Sequence, residues 1–406
     1  MDHSEITDTS GMTGSCRVLP EVERWLGRRS WSAADRPPER LPAAKRAAGA
    51  RISVVLPALN EERTIGDIVS VIRSELMAEP APFVDELVVL DSGSTDRTGE
   101  VAAAAGARVV HRDRVLPRLP ALPGKGEVLW RSLLVTGGDI VCFVDADLED
   151  FTADFVTGVV GPLLTEPEVQ LVKAVYDRPY GDDPAGGGRV TELVARPLLN
   201  LHWPLLAGFV QPLGGEYAAR RGLLEALPFP VGYGVELGLL VDALHAVGLD
   251  ALGQVDVGVR RHRHQSGQAL GRMAAAIQHT AQLRLAGGPR GALPHGAAGI
   301  SEAAVSAAAV SGTGVPGAGV PGAGVPGAGG GTGPHAAPGA GEPHGAQGVL
   351  GARDVLGAPV RPTLTQFERV PGGGGFAGFA PRSHEIDTVE RPPMREIPEY
   401  AARRAA

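Results

Sequence analysis

Short runs rich in β-branched residues alternate with helical patterns across residues 51–285 of this 406-residue chain. The candidate strands are 52–56, 86–90, 107–111, 140–144, 171–176 and 254–259. Residues 64–76 carry apolar side chains at helical spacing, and further helices are predicted after Asp96 and over about 126–134. This alternation is typical of an α/β fold in which helices flank a mostly parallel sheet.

The composition of the whole chain excludes several classes of protein. A formal net charge of −8 argues against a general nucleic-acid binder. The N-terminus is polar and lacks the apolar core of a secretory signal, and no apolar run approaches the length of a transmembrane helix. Two cysteines, Cys16 and Cys142, are too few for a disulfide framework. We therefore expect a cytoplasmic protein without a membrane span.

Residues 286–360 are dominated by Gly, Ala, Pro and Val, and Val-Pro-Gly-Ala-Gly repeats three times in tandem over 315–329. Such a segment offers few large apolar groups to bury, so it predicts a disordered insertion. An elastin-like assembly function is the alternative. Composition returns to normal over 361–400, which indicates a C-terminal segment that rejoins the fold.

Polar sequences follow three of the candidate strands. Residues 57–62 follow the first strand, 91–96 the second, and Asp145-Ala146-Asp147 the run at 140–144. Ligands of open α/β sheets bind outside the carboxyl ends of the strands. Two carboxylates one residue apart suit Mg²⁺ or Mn²⁺ that also holds a pyrophosphate, although Asp-x-Asp alone is commonly a surface turn. The three loops together favour a binding site.

Further residues fit a phosphorylated ligand. Lys125 stands between two glycines that allow close approach to a phosphate, outside any Walker-type frame. Glu61 and Ser92 can hydrogen-bond a base or a ribose. The glycines at 186–188 precede Arg189 and a predicted helix over 190–201, which together predict an anion site. A basic run, 260–264, follows the last candidate strand.

Seven stretches carry a resemblance to a known family. They are Pro-Ala-Leu-Asn-Glu-Glu at 57–62, Asp-Ser-Gly-Ser-Thr-Asp at 91–96, Gly-Lys-Gly at 124–126, and the segments 189–198, 211–217, 232–236 and 390–394. The chain resembles A-type nucleotide-sugar glycosyltransferases, and within them the glucosyl-3-phosphoglycerate synthases of actinobacteria. The resemblance covers roughly 20–285 and 363–400, without the Gly/Pro-rich segment.

The resemblance implies a Rossmann-like fold, a homodimer, and transfer of glucose from UDP-glucose to 3-phosphoglycerate with retention. It implies a metal, Mg²⁺ or Mn²⁺, on Asp147 and His262, and catalytic roles for Glu236, Lys125 and Arg260. The implied donor-binding residues are Pro57, Ala58, Leu59, Asn60, Glu61, Ser92, Lys125, Asp145, Ala146, Tyr233, Gly234, Val235, Glu236 and Arg260. The implied acceptor-binding residues are Gly188, Arg189, Val190, Thr191 and His264, the last standing where the family has Asn.

We therefore expect a disordered N-terminus over 1–18 and a glycosyltransferase domain over 19–285. Its nucleotide-sugar half would occupy about 51–150 and its acceptor half about 151–285. Three alternatives stay open: a polyprenyl-phosphate sugar transferase, a GDP-mannose or GDP-glucose enzyme, and a non-catalytic nucleotide-sugar-binding protein. Retention leaves both a covalent intermediate and front-face attack open.

Overall fold

The structure is a computed structural model that describes residues 18–36, 38–179, 187–262, 265–287, 362–369, 379–386 and 389–405. Described residues before and after the Gly/Pro-rich segment belong to one compact unit. The predicted insertion lies outside the described residues, except for Ala286 and Gly287 at the end of a helix. Almost all of the predicted N-terminal tail lies outside them as well.

The strands are β1 (Ser30–Ser32), β2 (Ile52–Ala58), β3 (Glu86–Asp91), β4 (Arg108–His111), β5 (Ile140–Phe143), β6 (Leu148–Glu149), β7 (Leu171–Asp177), β8 (Tyr217–Arg220), β9 (Phe229–Pro230), β10 (Leu252–Val259), β11 (Arg261–His262), β12 (Thr363–Arg369), β13 (Phe379–Glu385) and β14 (Glu390–Arg391). Eight of them form one sheet in the order β1-β10-β7-β8-β5-β2-β3-β4. Neighbours within the described sheet pair parallel except at β8, which is antiparallel to both β5 and β7.

The helices are α1 (Pro20–Arg29), α2 (Leu41–Ala48), α3 (Ile65–Val71), α4 (Thr98–Ala104), α5 (Lys125–Val135), α6 (Asp154–Thr165), α7 (Arg196–His202), α8 (Arg221–Ala226), α9 (Val235–Val247), α10 (Gly267–Gly287) and α11 (Pro398–Ala405). A π-helical turn, Ile72–Leu76, continues α3, and another, Thr191–Ala195, precedes α7. No helix among the described residues is long and apolar enough to cross a membrane.

Hydrophobic cores lie on both faces of the sheet. In β5, Val141 and Phe143 belong to one core, while Ile140 and Cys142 belong to the other. Successive side chains of a strand point to opposite faces, so a strand that is apolar at every position can be buried on both sides. Helices α5 and α7–α11 cover the first face, and α2–α4 and α6 cover the second. The predicted α/β class with a mostly parallel sheet is confirmed.

The six strands predicted from the sequence are present with shifts of at most two residues at their ends. The predicted helices are present as well, although two of them contain π-helical turns. The antiparallel strand β8 was not predicted. Its position matters because it starts at the edge where β2, β3, β5, β7 and β10 end. Residues just before β8 therefore join the loops that follow the parallel strands.

Segment 362–405 packs against the main sheet unit where it is described. Strand β14 pairs antiparallel with β9, and Met394, Ile397 and Tyr400 are buried in the first core. Strands β12 and β13 form an antiparallel pair, and the Gln366 side chain donates to the backbone oxygen of Gln268 in α10. The segment predicted to rejoin the fold therefore makes both backbone and core contacts there.

Candidate active site

A cavity of about 560 Å³ lies at the sheet edge where the parallel strands end. This volume falls within the usual range for small-molecule sites. Most residues singled out from the sequence line it: Pro57, Ala58, Leu59, Glu61, Ser92, Lys125, Asp145, Ala146, Asp147, Gly188, Arg189, Val190, Thr191, Tyr233, Glu236 and Arg260. Seven segments that are far apart in sequence thus meet around one space.

Other predicted site residues do not line the cavity or cannot be placed there. Asn60, Gly234 and Val235 are absent from the cavity wall, and Val235 is fully buried in the core. The side chain of His262 and the whole of His264 lie outside the described residues. Their proposed metal and acceptor contacts therefore stay predictions.

One wall of the cavity consists of two loops, 57–62 and 91–96, that are joined by hydrogen bonds. The Asn60 side-chain oxygen accepts a hydrogen bond from the Thr95 N–H at 2.8 Å, so Asn60 supports the wall from behind. The Asp91 carboxylate accepts from the Ser94 N–H at 2.9 Å and from its hydroxyl at 2.7 Å. These bonds fix the turn that carries Ser92, whose hydroxyl accepts from Arg112 at 3.2 Å.

The charged part of the cavity lining, here called the floor, contains a largely buried ionic cluster of Lys125, Asp145 and Glu236, whose side chains are 21%, 20% and 7% exposed. Lys125 begins α5, and its Nζ lies 2.5 Å from Asp145 Oδ1 and 2.8 Å from Glu236 Oε1. The Gly215 backbone lies directly against this cluster, since a Cβ at that position would stand 2.3 Å from both Asp145 Oδ2 and Lys125 Nζ. A residue with a side chain at 215 would therefore separate the ion pair.

Arg260 is the second cation of the floor. Its Nη2 lies 2.9 Å from Asp145 Oδ2 and 3.2 Å from Asp147 Oδ1, while its Nε contacts Glu216 Oε1 at 2.9 Å. Glu216 is fully buried and also accepts a 2.6 Å hydrogen bond from the Tyr176 hydroxyl. Among the described residues the buried Arg260 Nη1 has no hydrogen-bond partner. An anionic ligand could satisfy it.

These contacts govern the ionisation of the floor. Burial raises the pKa of the Asp145 carboxyl, but Lys125 and Arg260 outweigh burial and hold that pKa below its usual range. Burial raises the pKa of Asp147, and Arg260 offsets this only in part. Burial lowers the pKa of Lys125, yet Asp145 and Glu236 raise it well above its ordinary value. Lys125 and Asp145 are therefore charged near neutral pH.

Asp147 offers a carboxylate ligand to a hard divalent cation, and the backbone of His262 lies nearby. Its carboxylate lines the cavity, and β11 pairs with β6 so that the backbone of His262 lies opposite Leu148, the residue after Asp147. No group of three or more His, Cys, Asp or Glu that could bind a metal occurs among the described side chains, which exclude that of His262. A cation here would thus take further ligands from substrate phosphates or water, as Mg²⁺ commonly does.

One wall of the cavity is basic and contains the start of a helix. Gly188 precedes the helical run that continues through α7, Arg189 begins it, and the first N–H groups of such a helix have no intrahelical acceptor. Arg189 also donates to the backbone oxygen of Gln265 at 3.3 Å. Arg178, which follows β7, adds a guanidinium to the same wall. A phosphate or carboxylate fits this wall.

Sequence reasoning missed Glu216, Arg178 and the wall formed by α10. Helix α10 contributes Leu270, Met273 and Ile277 to the cavity. Lys173 was missed as well: its Nζ donates to the Gly214 oxygen at 2.7 Å, and burial lowers its pKa to about 8. The sequence did contain one signal for Glu216. This carboxylate follows two glycines and directly precedes the short apolar run of β8, an unusual place for a charged residue.

Comparisons with known proteins agree with this geometry. Residues 53–210 match glycosyl transferase family 2. A glucosyl-3-phosphoglycerate synthase from Mycolicibacterium smegmatis is 53% identical over 263 residues, which cover 63% of this chain and 83% of that protein.

Solved structures give the same picture. A crystal structure of glucosyl-3-phosphoglycerate synthase from Mycobacterium tuberculosis with Mn²⁺, UDP-glucose and phosphoglyceric acid matches with a TM-score of 0.62. The match has 41% identity and covers 88% of this chain and 94% of that one. A second structure of the mycobacterial enzyme contains Mg²⁺ and UDP.

A mannosyl-3-phosphoglycerate synthase from Rubrobacter xylanophilus matches with a TM-score of 0.68 and 33% identity, covering 92% of this chain and 97% of that one. Identity is therefore higher with the glucosyl enzymes, at 41% against 33%. The floor of carboxylates and the arginine-lined wall agree with a nucleotide-sugar site, and this chain belongs to the glucosyl-3-phosphoglycerate synthase family of glycosyltransferases.

Proposed function

We propose that this enzyme transfers glucose from UDP-glucose to 3-phosphoglycerate and retains the anomeric configuration. The observation that carries the proposal is a single cavity lined both by a floor of carboxylates and cations and by a helix start with Arg178 and Arg189. A metal-bound diphosphate suits the floor, and a small phosphorylated carboxylate suits the arginine-lined wall. The identity with glucosyl-3-phosphoglycerate synthases supports the choice of substrates.

The donor would lie along the floor. The loops that carry Pro57–Leu59, Glu61 and Ser92 would hold uridine, and Lys125 and Arg260 would face the diphosphate. A divalent cation on Asp147 and His262 would neutralise phosphate charge as the bond to UDP breaks. Arg260 Nη1 supports this arrangement, because it has no hydrogen-bond partner in the described part of the chain and a phosphate oxygen would supply one.

The acceptor would occupy the arginine-lined wall. Gly188–Thr191 and Arg189 would bind the phosphate or carboxylate of 3-phosphoglycerate, and Arg178 stands on the same wall. The shared cavity would then bring the acceptor hydroxyl beside the sugar.

Glu236 would position glucose and would not act as a nucleophile. Its carboxylate is only 7% exposed and is ion-paired with Lys125 at 2.8 Å. Such pairing lowers the nucleophilicity of a carboxylate, whereas it leaves lone pairs for sugar hydroxyls. We therefore favour front-face attack, in which a phosphate oxygen of the leaving UDP assists deprotonation of the acceptor hydroxyl.

Location and assembly complete the proposal. Both proposed substrates are phosphorylated metabolites of the cell interior, and we propose a cytoplasmic enzyme on that ground. A homodimer is proposed from the family resemblance.

The activity is tested by UDP release from the purified full-length protein with Mn²⁺. Release is expected to require both UDP-glucose and 3-phosphoglycerate, and NMR of the product should show an α-linked glucoside. GDP-mannose and GDP-glucose serve as competing donors, and a polyprenyl phosphate serves as a competing acceptor. Faster turnover with any of these, or nucleotide-sugar binding without turnover, would replace the proposal by the corresponding alternative.

Asp147→Ala is expected to lower kcat by at least about 100-fold, because it removes a metal oxygen and leaves the developing diphosphate charge less stabilised. Titration with Mn²⁺ should show weaker metal dependence of UDP binding. Asp150→Asn is the matched control, since Asp150 pairs with Arg261 at the surface and its side chain is 74% exposed. Full wild-type activity of the Asp147 variant in the presence of EDTA would rule out this metal site.

Arg189→Ala is expected to raise the KM for 3-phosphoglycerate roughly 10- to 100-fold, which corresponds to about 1.5–3 kcal/mol for an arginine–anion hydrogen bond. The KM for UDP-glucose should change far less. Arg196→Ala is the control on the same helical run, because Arg196 pairs with Glu192. Equal changes in both KM values would assign Arg189 to the donor or to folding.

Glu236→Gln keeps the shape of the side chain and removes its charge. We expect a slower yet measurable enzyme, because hydrogen bonds to the sugar persist while the pair with Lys125 is lost. Incubation with UDP-glucose alone should leave the peptide containing Glu236 unmodified in the wild type. Detection by mass spectrometry of a glucosyl adduct on that carboxylate would establish the covalent route instead.

A further inference from the structure

We propose that Glu390 and Arg391 of β14 are positioning residues that set the distance between Lys125 and Glu236. This inference rests on the proposed function, since it concerns the floor of the donor site. Lys125 belongs to α5 and Glu236 to α9, and the 2.8 Å ion pair between them joins two helices. The segment after the Gly/Pro-rich insertion contacts α5 directly through a buried ion pair, and it reaches α9 through Arg284 of α10.

The first contact runs from Arg391 to α5. Arg391 Nε lies 2.6 Å from Glu127 Oε2, and its Nη2 lies 2.8 Å from Glu127 Oε1, a bidentate pair. Arg391 also donates to the Pro120 oxygen at 2.7 Å and stacks 5.3 Å from the Trp130 ring centroid. Glu127 is fully buried in the first turn of α5, two residues after Lys125. Movement of Glu127 would therefore move Lys125.

The second contact runs from Glu390 to α9. The Arg284 guanidinium of α10 donates to Glu390, and its Nη2 lies 2.7 Å from Asp242 Oδ2. Asp242 is fully buried on α9, less than two turns after Glu236. Adjacent strand residues point to opposite faces, which explains how neighbours in β14 reach different helices.

The backbone of β9 and of the next residue, Val231, connects β14 to the two helices. Strand β9 packs against both α5 and α9, and β14 is its antiparallel partner. The Val231 N–H donates to Val389 at 3.1 Å, while the Val231 oxygen accepts from the Glu127 N–H at 3.2 Å. The backbones are in contact at Gly126, where a Cβ would stand 1.8 Å from the Pro230 oxygen. A displacement of β14 would therefore move its partner β9 and, through this contact, the start of α5.

Each buried carboxylate retains one partner when β14 is altered. Arg131 Nε lies 2.6 Å from Glu127 Oε1, so the Glu127 charge stays paired in an Arg391 variant. Asp242 likewise keeps Arg284 in a Glu390 variant. Loss of a β14 side chain therefore leaves no isolated buried charge, which is the usual cause of severe destabilisation. The effect should appear in the position of the site.

The test compares Arg391→Gln and Glu390→Gln with Glu399→Gln in the full-length enzyme. Glu399 is the matched control, because it also joins the C-terminal segment to the main unit, through Arg118, but at an exposed pair that does not reach α5 or α9. We expect kcat to fall roughly 10- to 100-fold in the two β14 variants, as for a misplacement of about 1 Å. The KM for 3-phosphoglycerate should stay within about twofold, and the control should equal wild type. Wild-type kcat in both β14 variants would overturn the inference.

A double-mutant cycle separates positioning from a general structural role. UDP affinity is measured by calorimetry with Mn²⁺ in wild type, Lys125→Met, Arg391→Gln and the double variant. If Arg391 acts through Lys125, its substitution should add little to the loss caused by Lys125→Met. Additive losses would overturn the inference. Arg391→Lys, which keeps the charge and loses the bidentate geometry, replaces Arg391→Gln in both tests if that variant does not fold.

This binding cycle also separates the inference from the proposed function. If the wild-type protein transfers no glucose, only the proposed function is contradicted, because UDP binding and the coupling between Arg391 and Lys125 can still be measured. Active wild type with additive effects would contradict the inference alone.

Discussion

The site depends on the buried contact between Arg260, Glu216 and the Asp145–Asp147 pair. Two carboxylates one residue apart repel each other, and burial makes that repulsion more costly. Arg260 contacts both carboxylates through Nη2, while Glu216 Oε1 holds the Arg260 Nε at 2.9 Å. Lys125 balances the remaining charge on Asp145. The charges of the floor are thus paired and in place before a ligand arrives, and such pre-organised electrostatic stabilisation is usually the largest single contribution to catalysis.

This contact requires a sheet of mixed direction. Asp145 and Asp147 follow β5 and Arg260 follows β10, so parallel strands bring them to one edge. Glu216 reaches the same edge only because β8 runs the other way and begins there. A wholly parallel arrangement would place the residue before β8 at the opposite edge. The antiparallel strand therefore supplies the residue that holds Arg260.

The sequence predicted the parts of the fold and site that depend on local pattern. Apolar strands such as β3 and β5 are recognisable because both faces are buried, and the polar loops that follow them were predicted with Ser92 and Asp145. Strand β8 is only four residues, Tyr-Ala-Ala-Arg, and carries no comparable pattern. Glu216, Arg178 and the α10 wall depend on contacts between distant segments, which spacing alone does not encode.

The C-terminal contacts show why a long insertion is compatible with an ordered site. Residues 288–361 separate α10 from the described part of the C-terminal segment. If that connection is flexible, as its composition predicts, each doubling of its length costs only about 0.6 kcal/mol in closure entropy. The segment beyond it gains a β14–β9 pairing, three buried apolar side chains and two buried ionic contacts. Insertion length can therefore vary greatly, whereas Glu390 and Arg391 must return to the same place for Lys125 and Glu236 to meet.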